Sequence, residues 1–502
     1  MINKILVANR GEIALRVMRS CREMNIKTVA VYSEADRKSM HVRYADEAYH
    51  IGPAPSVESY LRIDKIIEAA KRSNADAIHP GYGFLSENAA FADRCEKEGF
   101  IFIGPSSFTI ATMGDKLTAR KTMTGVGVSV VPGTSEELSD ENAAHEIAKK
   151  IGLPIMIKAS AGGGGKGMRL VYKEDEIIDS LRAAKSEAKS AFGNDAIYIE
   201  KYIESPHHIE FQILADKHGN VIHLFERECS VQRRHQKVIE ETPSPLMNPE
   251  IREEMGKAAV AAAKAVNYHG AGTVEFIVDE DLNYYFLEMN TRLQVEHPIT
   301  ERVVGVDLVK EQINIANGQK LTLKQNELRQ NGHAIECRIY AEDTDNNFMP
   351  SPGKINHITE PLGLGIRHDG YVYEGYEIPL FYDPLISKLI VWAKTRDEAI
   401  QRMKRALYAY KITGVKTTIK FLEKIMDVPA FKEGKYNTHF IEDHKKLLLE
   451  TESYNKQCED VAIITAFIDY LAKIKSASSN ISSVTTSNNW KVVGRRKSIT
   501  RL

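Results

Sequence analysis

Five polar residues alternate with mostly apolar ones in the decapeptide EMNTRLQVEH, residues 288–297. On an extended backbone all five would project from one face, and they are Glu288, Asn290, Arg292, Gln294 and Glu296. Carboxylate and amide oxygens are hard ligands for Mg²⁺, and a guanidinium can bind a small planar oxyanion through two hydrogen bonds. The pattern predicts a metal-bound triphosphate beside an anionic second substrate, although an exposed edge strand would alternate in the same way.

A second acidic residue, Glu275, interrupts the apolar stretch TVEFIV just upstream. The segment GTVEFIVDEDLNYYFLEMN predicts a β-hairpin, which would bring Glu275 near Glu288. Protein usually supplies only one or two of the ligands of a phosphate-bound Mg²⁺. We therefore expect Glu275, Glu288 and Asn290 to be the candidate metal ligands.

Two further segments supply hydrogen-bond donors, PHHIEFQ at 206–212 and SVQRRHQKV at 230–238. Their candidate site residues are His208, Gln232, His235 and Lys237. Any single histidine is more often a structural residue than a ligand-binding one. The prediction therefore depends on the whole set.

Four consecutive glycines stand before a lysine in KASAGGGGKGM, residues 158–168. A phosphate-binding P-loop needs a glycine five residues before Gly-Lys and Ser or Thr after it, and both positions differ here. A dinucleotide fingerprint must lead from a strand into a helix, whereas the predicted strands PIMIKAS and MRLVYK flank this run. We expect a flexible flap that closes over phosphates, with Lys158 and Lys116 as nearby cations; a glycine hairpin without a ligand is the alternative.

The elements that must position these residues fall into three groups. The first part of the chain alternates strands and helices (KILVA, EIALRVMRSCREM, KTVAVYS, DKIIEAAKRSNADAIHPG, FIFIGPS), which predicts a parallel sheet with helices on its faces. The middle part contains the flap, a strand at 196–203, a helix over about 250–267 and the hairpin. From about Gly332 the chain becomes mainly β, with helices around 396–411 and 417–426. An amphipathic helix at 458–474 and a Ser/Thr-rich basic tail follow.

Composition narrows the class of partner. The formal charge is −1 over 502 residues, so no global field favours nucleic acid or an anionic membrane, and neither is expected as a partner. The five cysteines lie far apart in the sequence, without the close pairs of zinc or dithiol sites. We expect mostly buried, reduced thiols and a cytoplasmic location, because the sequence shows neither a secretory signal nor an apolar run long enough for a membrane span.

Six segments together carry a resemblance to a known family. ANRGEIALR, HPGYGFLSEN, GDK, KASAGGGGKGM, QRRHQKVIEE and EMNTRLQVEHPITE occur in this order, and together they resemble the biotin carboxylase component of biotin-dependent carboxylases of the acetyl-CoA, propionyl-CoA or pyruvate type. The resemblance covers about residues 1–446. It implies an ATP-dependent ligase of the ATP-grasp superfamily.

The resemblance also implies a multidomain architecture of the α/β and α+β classes. A Rossmann-like, parallel α/β N-terminal domain is expected over residues 1–113, and an ATP-grasp domain over 114–331 with its glycine-rich lid at about 131–203. A mainly β C-terminal domain is expected over 332–446. Residues 447–502 would form the extra helix and the basic tail, for which docking to partner subunits is a hypothesis.

Site roles follow from the resemblance on matching positions. The expected ATP and cofactor contacts are Lys116, Lys158, the Gly164 and Gly165 amides, Glu200, Lys201, Tyr202, Ile203, His208, Gln232 and His235, with residues 200–203 serving the adenine. Glu275, Glu288 and Asn290 would hold magnesium or manganese, with two ions expected. The bicarbonate pocket would comprise Lys237, Arg292, Gln294 and the Val295 amide. Glu296 would be the base that deprotonates bicarbonate, and Arg338, in IECRIYAED, would contact biotin and stabilise its enolate.

The implied reaction is the carboxylation of biotin by ATP and bicarbonate through carboxyphosphate, the first half-reaction of an acyl-CoA or pyruvate carboxylase. No Met-Lys-Met biotinyl segment within a β-rich domain occurs in the sequence, and RMKRA at 402–406 falls in a predicted helix. The carrier and the carboxyltransferase are therefore expected to be separate polypeptides, and the chain is expected to form a homodimer. The alternatives are another ATP-grasp carboxylate or bicarbonate ligase and a non-catalytic ATP-binding scaffold.

Overall fold

The computed structural model describes residues 1–134, 141–159, 168–193, 195–449 and 456–479. The chain divides into two compact units, residues 1–448 and residues 449–502. The predicted flap residues 160–167, with Gly164 and Gly165, lie outside the described residues, and so does most of the basic tail.

The first part of the larger unit is the predicted parallel sheet with helices. All five strands are parallel and lie in the order β3-β2-β1-β4-β5. The elements are β1 (Lys4–Val7), α1 (Gly11–Glu23), β2 (Lys27–Ser33), α2 (Met40–Tyr44), β3 (Glu47–Gly52), α3 (Ile63–Ser73), β4 (Ala77–His79), α4 (Ala89–Lys97), β5 (Ile101–Phe102) and α5 (Ser107–Gly114).

The sheet forms where the sequence predicted it, because KILV and AIH are apolar runs with both faces covered. Ile5, Leu6 and Val7 of β1 are fully buried, as expected for the central strand of a parallel sheet. The edge strand β3 was not predicted. Its residues alternate between partly buried and exposed along most of its length, so its apolar content is too low to identify it from the sequence.

The flap is flanked by a small antiparallel sheet of order β7-β6-β8. Its neighbouring elements are α6 (Lys116–Gly125), α7 (Glu141–Ile151), β6 (Ile155–Ala159), β7 (Met168–Val171), α8 (Ile177–Phe192) and β8 (Ile197–Lys201). The glycine run therefore connects two antiparallel strands, as predicted. A dinucleotide fingerprint would lead into a helix, whereas the described residues after the run form β7.

An eight-stranded sheet, β13-β12-β9-β10-β11-β14-β21-β19, forms the body of the larger unit. Its middle-region elements are β9 (His207–Ala215), β10 (Val221–Arg233), β11 (Gln236–Thr242), α9 (Pro249–Ala265), β12 (Gly270–Val278), β13 (Tyr284–Asn290), α10 (His297–Val304) and α11 (Leu308–Ala316). The predicted helix at 250–267 and the predicted hairpin are confirmed. β13 lies at the edge of the sheet.

The last third of the larger unit is mainly β, as predicted, and adds three strands to the same sheet. Its elements are β14 (His333–Tyr340), β15 (Glu342–Asp343), β16 (Met349–Pro350), β17 (Gly353–Lys354), β18 (His357–Thr359), β19 (Ile366–Gly370), β20 (Glu377–Ile378), β21 (Leu385–Ala393), α12 (Arg396–Ala409), β22 (Lys411–Thr413), α13 (Ile419–Ile425), α14 (Pro429–Lys432), α15 (Phe440–Asp443) and α16 (Lys445–Leu449). RMKRA lies within α12. The predicted boundaries between the three domains stay predictions.

The second unit contains one helix, α17 (Lys456–Ser479), among its described residues. The sequence placed this helix at 458–474. Within the described part of the chain, every helix falls short of the length or the apolar character that a bilayer span requires. Cys21, Cys95, Cys229 and Cys337 are free and buried, as expected.

A buried histidine should make the fold sensitive to acid. His79 is fully buried at the end of β4, where its Nδ1 accepts a hydrogen bond from the Gly81 N–H at 3.0 Å. Burial lowers the pKa of His79 to about 4. The unfolded chain, in which a histidine has its ordinary pKa of about 6.5, therefore binds more protons between these values, and stability falls as the pH drops from about 6.5 to 4.

The Asn in His79→Asn keeps a hydrogen-bond acceptor but cannot titrate. We expect the variant to lose up to about 3 kcal/mol less stability than the unmodified chain when the pH falls to 4, as the gap between the ordinary and the lowered pKa of His79 implies. Denaturant unfolding of both proteins between pH 7 and pH 4 measures the difference. The same change at the exposed His439 is the control. Equal acid dependence of His79→Asn and the unmodified chain would contradict the prediction.

Candidate active site

A row of charged side chains crosses the large sheet from β13 to β10. Glu288 lies opposite Glu275, as predicted. Glu275 lies opposite Glu210 on β9, which in turn lies opposite Arg227 on β10. Directly opposed residues project from the same face of an antiparallel sheet, so three carboxylates and a guanidinium stand side by side.

The ammonium of Lys237 lies among these carboxylates. Its Nζ donates to Glu210 Oε2 at 2.5 Å, to Glu296 Oε1 at 2.7 Å and to Glu275 Oε1 at 3.1 Å. Burial alone would lower the pKa of Lys237, but Cys229 and the three carboxylates raise it well above its usual value. Lys237 is therefore a permanent positive charge at the centre of the site.

Glu210 is held from the other side by Arg227, which is fully buried. Arg227 Nε donates to Glu210 Oε1 at 2.5 Å, and its Nη1 donates to Gln212 Oε1 at 2.7 Å. The sequence analysis missed both Glu210 and Arg227. The alternation of His208, Glu210 and Gln212 in PHHIEFQ was the signal for Glu210, whereas no local pattern marks Arg227.

Glu296 connects the row to the next strands of the sheet. Lys237 binds its Oε1, and Arg338 Nη2 on β14 donates to its Oε2 at 2.9 Å. Arg338 Nε in turn donates to Glu240 Oε1 at 2.6 Å. Burial would raise the pKa of Glu296, but Lys237, Arg338 and Arg227 together hold it far below its usual value. The predicted base is therefore ionised.

The predicted extension of the backbone through residues 288–297 is wrong beyond Asn290. β13 ends there, residues 291–296 form an irregular loop, and α10 begins at His297. Arg292 instead turns to Glu87, with its Nε 2.8 Å from Glu87 Oε2, and to Asn290 Oδ1 at 2.8 Å from its Nη2. The polar groups converge because the loop bends, not because they share the face of one strand.

Gln294 and the predicted histidine cluster also contact the row. Gln294 Nε2 donates to Glu275 Oε1 at 2.7 Å. His208 Nε2 lies 2.6 Å from Glu275 Oε2, and Gln232 Nε2 donates to His208 Nδ1 at 2.8 Å. His235 is exposed in the tight turn between β10 and β11, where its φ is 64°.

Three of the predicted adenine and phosphate contacts, Lys158, Glu200 and Lys201, lie on the small sheet. The Lys158 ammonium forms an ion pair with Glu200, and Lys201 Nζ donates to the carbonyl oxygens of Gly152 and Leu153 at 3.1 and 2.8 Å. The Tyr202 N–H donates to the Pro154 carbonyl at 3.0 Å. Ile203 follows directly and is partly buried, and Lys116 begins α6.

Two of the predicted metal ligands, Glu275 and Glu288, fit a hard divalent cation, whereas the Asn290 amide oxygen accepts a hydrogen bond from Arg292 Nη2 at 2.8 Å. Asn290 Nδ2 donates to Glu275 Oε1 at 2.9 Å, and Glu288 stands opposite Glu275. Glu288 is exposed on the edge strand, where crowding of its carboxyl by neighbouring groups and the charge of Glu275 raise its pKa. A cation between the two carboxylates would relieve their repulsion. His208, Glu210 and Glu275 also bring ligand atoms within 4.8 Å of one another, but Lys237 Nζ already donates to both of these carboxylates.

A cavity of about 520 Å³ lies next to Arg338 and Arg292. Val295 from the irregular loop and Tyr82 from the N-terminal part of the chain also line it. Val295 precedes Glu296 in the chain, and Arg338 binds the Glu296 carboxylate. The cavity therefore lies close to Glu296. The row carries more carboxylates than cations, so a polyanion would bind there together with a divalent cation, and the cavity leaves room for a second molecule.

The fold and the site define an ATP-dependent ligase of the ATP-grasp class. Residues 115–324 match the family model described as the ATP-binding domain of the carbamoyl-phosphate synthase L chain. Residues 1–110 match the N-terminal domain of biotin carboxylase, and residues 336–443 match its C-terminal domain. The chain belongs to the biotin carboxylase family.

Two relatives match this chain over nearly their whole length. The chain is 56% identical over 444 residues to the biotin carboxylase of Nostoc sp., with 88% of this chain and 99% of the relative covered. It is 55% identical over 445 residues to biotin carboxylase 1 of Bacillus subtilis, again over 88% of this chain and 99% of that protein.

A solved structure shares the fold closely. It is the biotin carboxylase domain dimer of the 2-oxoglutarate carboxylase of Hydrogenobacter thermophilus, in complex with MgADP, ADP and bicarbonate. The TM-score is 0.85 at 51% sequence identity, covering 90% of this chain and 100% of that one.

The buried pair of Arg227 and Glu210 gives a test of the site's electrostatics. We expect Arg227→Leu to lower the free energy of unfolding by about 3–5 kcal/mol, because it leaves a buried carboxylate without its main partner. The double variant Arg227→Leu/Glu210→Gln should recover part of the loss. Denaturant unfolding measures both, with the exposed Arg62→Leu as control; a loss in Arg227→Leu no larger than in the control would refute the prediction.

Proposed function

We propose that this chain carboxylates biotin with ATP and bicarbonate, and that the chemistry takes place between the charged row and the cavity beside Arg338. The observation that supports this most directly is the position of Glu296. Lys237 binds one oxygen of its carboxylate and Arg338 binds the other. A single carboxylate therefore joins the place of bicarbonate activation to the place of biotin.

In this proposal, bicarbonate binds beside Arg292, Lys237, Gln294 and the Val295 amide. A carboxylate with a strongly lowered pKa is a poor base, because its cations stabilise the ionised form. When bicarbonate enters, its negative charge competes with Glu296 for Lys237 and Arg338. The basicity of Glu296 then rises at the moment when it must accept the proton of bicarbonate.

The bicarbonate oxygen then attacks the γ-phosphate of ATP, the bond to the bridging oxygen of the β-phosphate breaks, and carboxyphosphate and ADP form. Phosphoryl transfer needs positive charge placed around the transferred group, and Lys116, Lys158, His208 and His235 are the residues that we assign to the nucleotide, with Glu200 to Ile203 at the adenine. Glu275, Glu288 and Asn290 would hold Mg²⁺ or Mn²⁺, which would neutralise phosphate charge. Lys158 must exchange its Glu200 partner for phosphate, which couples nucleotide binding to the flap.

Arg338 is assigned to biotin. Carboxyphosphate breaks down to carbon dioxide and phosphate, and the phosphate takes the proton of the ureido nitrogen. The Arg338 guanidinium stabilises the negative oxygen of the resulting biotin enolate, whose nitrogen attacks the carbon dioxide. Exclusion of water by the flap would protect carboxyphosphate from hydrolysis. We further propose that biotin arrives on a separate carrier protein, that a separate carboxyltransferase takes the carboxyl group, and that the chain is a homodimer, as the Hydrogenobacter domain is.

The first test of this function is an ATPase assay. The purified chain should hydrolyse ATP slowly in the presence of Mg²⁺ and bicarbonate, and free biotin should raise the rate several-fold because it consumes the carboxyphosphate product. Omission of bicarbonate is the control. A rate that does not respond to biotin would count against biotin as the acceptor.

The second test separates the biotin role from nucleotide binding. We expect Arg338→Met to reduce biotin-dependent turnover by about 10²-fold or more, the cost typical of losing a group that stabilises developing charge, while the Kd for ATP changes little. Arg233→Met is the control, since Arg233 lies on the same sheet and pairs with a buried carboxylate, Glu342, at 3.0 Å. Equal loss of ATP binding and turnover in Arg338→Met would overturn the assignment.

A further inference from the structure

Lys388, in the middle of β21, is fully buried although it carries a charge. A buried ammonium persists only where hydrogen bonds and an opposite charge compensate its desolvation. Its Nζ donates to the backbone carbonyl of Val295 at 2.9 Å and lies 3.2 Å from Glu12 Oε1. Lys388 thus connects a strand of the C-terminal region to the active-site loop and to the N-terminal helix α1.

The hydrogen bond from Lys388 to Val295 affects the position of Glu296, the proposed base. Residues 291–296 have no regular hydrogen-bonded structure of their own, so contacts from outside set the direction of each peptide. The Val295 carbonyl belongs to the peptide that leads into Glu296. Fixing this carbonyl therefore fixes where the Glu296 side chain leaves the backbone, and it orients the neighbouring Val295 amide.

The opposite end of the connection reaches the cavity beside Arg338. Glu12 accepts a hydrogen bond from the Tyr82 hydroxyl, and the Lys388 ammonium lies 5.8 Å from the centre of the Tyr82 ring. Tyr82 and Val295 both line the cavity. One hydrogen-bonded chain therefore runs from the wall of the cavity through Glu12 and Lys388 to the active-site loop.

Lys388 also lies directly beside Arg338. The two residues are opposite each other on β21 and β14, and Asp369 on β19 lies opposite Lys388 on its other side. Directly opposed side chains share a face, so Lys388 is placed next to the biotin-binding candidate without facing the cavity itself. Because its side chain is sealed from solvent, Lys388 does not contact substrate directly. Its position instead allows it to support residues of the site.

We propose that Lys388 is a positioning residue that holds the Val295–Glu296 peptide in place for bicarbonate, and that Glu12 and Tyr82 link this peptide to occupancy of the biotin cavity. The inference rests on the proposed placement of bicarbonate at Arg292, Gln294 and the Val295 amide. It goes further by assigning a function to three residues that do not belong to that set.

The test is steady-state kinetics on Lys388→Met, which keeps the length of the side chain and removes the hydrogen bond to Val295. We expect the KM for bicarbonate to rise about tenfold or more, the change that corresponds to about 1.4 kcal/mol, while the KM for ATP stays within about twofold. Tyr82→Phe removes the hydrogen bond from the cavity wall to Glu12, and it should reduce the stimulation of ATP hydrolysis by biotin.

Two further variants keep the test decisive if Lys388→Met folds poorly. Lys388→Met/Glu12→Gln removes both buried charges, and it should recover Tm while keeping the raised bicarbonate KM. Ser387→Ala, on the same strand, removes a buried hydrogen bond to the Tyr410 hydroxyl at 2.9 Å, and it should lower Tm without changing either KM.

The outcomes separate this inference from the proposed function. If Arg292→Met raises the bicarbonate KM and the Lys388 variants do not, the bicarbonate placement stands and the role of Lys388 is overturned. A parallel rise in both KM values, or a lower Tm with unchanged KM values, would also overturn it. If neither Arg292→Met nor Lys388→Met alters the bicarbonate KM, the placement of bicarbonate fails and this inference fails with it.

Discussion

The attraction between the Lys237 ammonium and three carboxylates is the interaction on which the site depends. Glu210, Glu275 and Glu296 come from β9, β12 and the loop before α10, and without a central cation they would repel one another in a buried setting. Arg227 and Arg338 flank this centre on either side. The charged side chains of the site are therefore already paired with one another. A charged substrate must displace one of these partners in order to bind.

Much of the fold could be predicted, because its signals are local. The parallel sheet, the hairpin and the strands around the flap follow from apolar periodicity, and the pairing of Glu275 with Glu288 follows from the hairpin. The irregular path after Asn290 could not be predicted, since an alternating pattern fits a strand equally well. Arg227 could not be found either, because only the packed sheet brings it beside Glu210. The family resemblance supplied Arg338, for which spacing alone gave no reason.

Lys158 shows how resting contacts differ from working ones. The sequence placed it as a cation for phosphate, and the structure pairs it with Glu200. Both can hold in turn, because an ammonium with one carboxylate partner can exchange it for a more highly charged phosphate group. Glu200 would keep a second partner, Arg120, whose Nη1 lies 3.7 Å from Glu200 Oε2.

The pairing of β11 with β14 joins the middle and last thirds of the larger unit within one sheet. Glu240 and Glu336 face each other across this junction, and Arg338 lies two residues further along β14. The limit between the predicted ATP-grasp and C-terminal domains is therefore not a hinge. In evolution, the last third of the unit could be replaced by that of a relative only if its first strand kept the same register against β11. The spacing between Lys237 on β11 and Arg338 on β14 is therefore inherited as a property of the sheet.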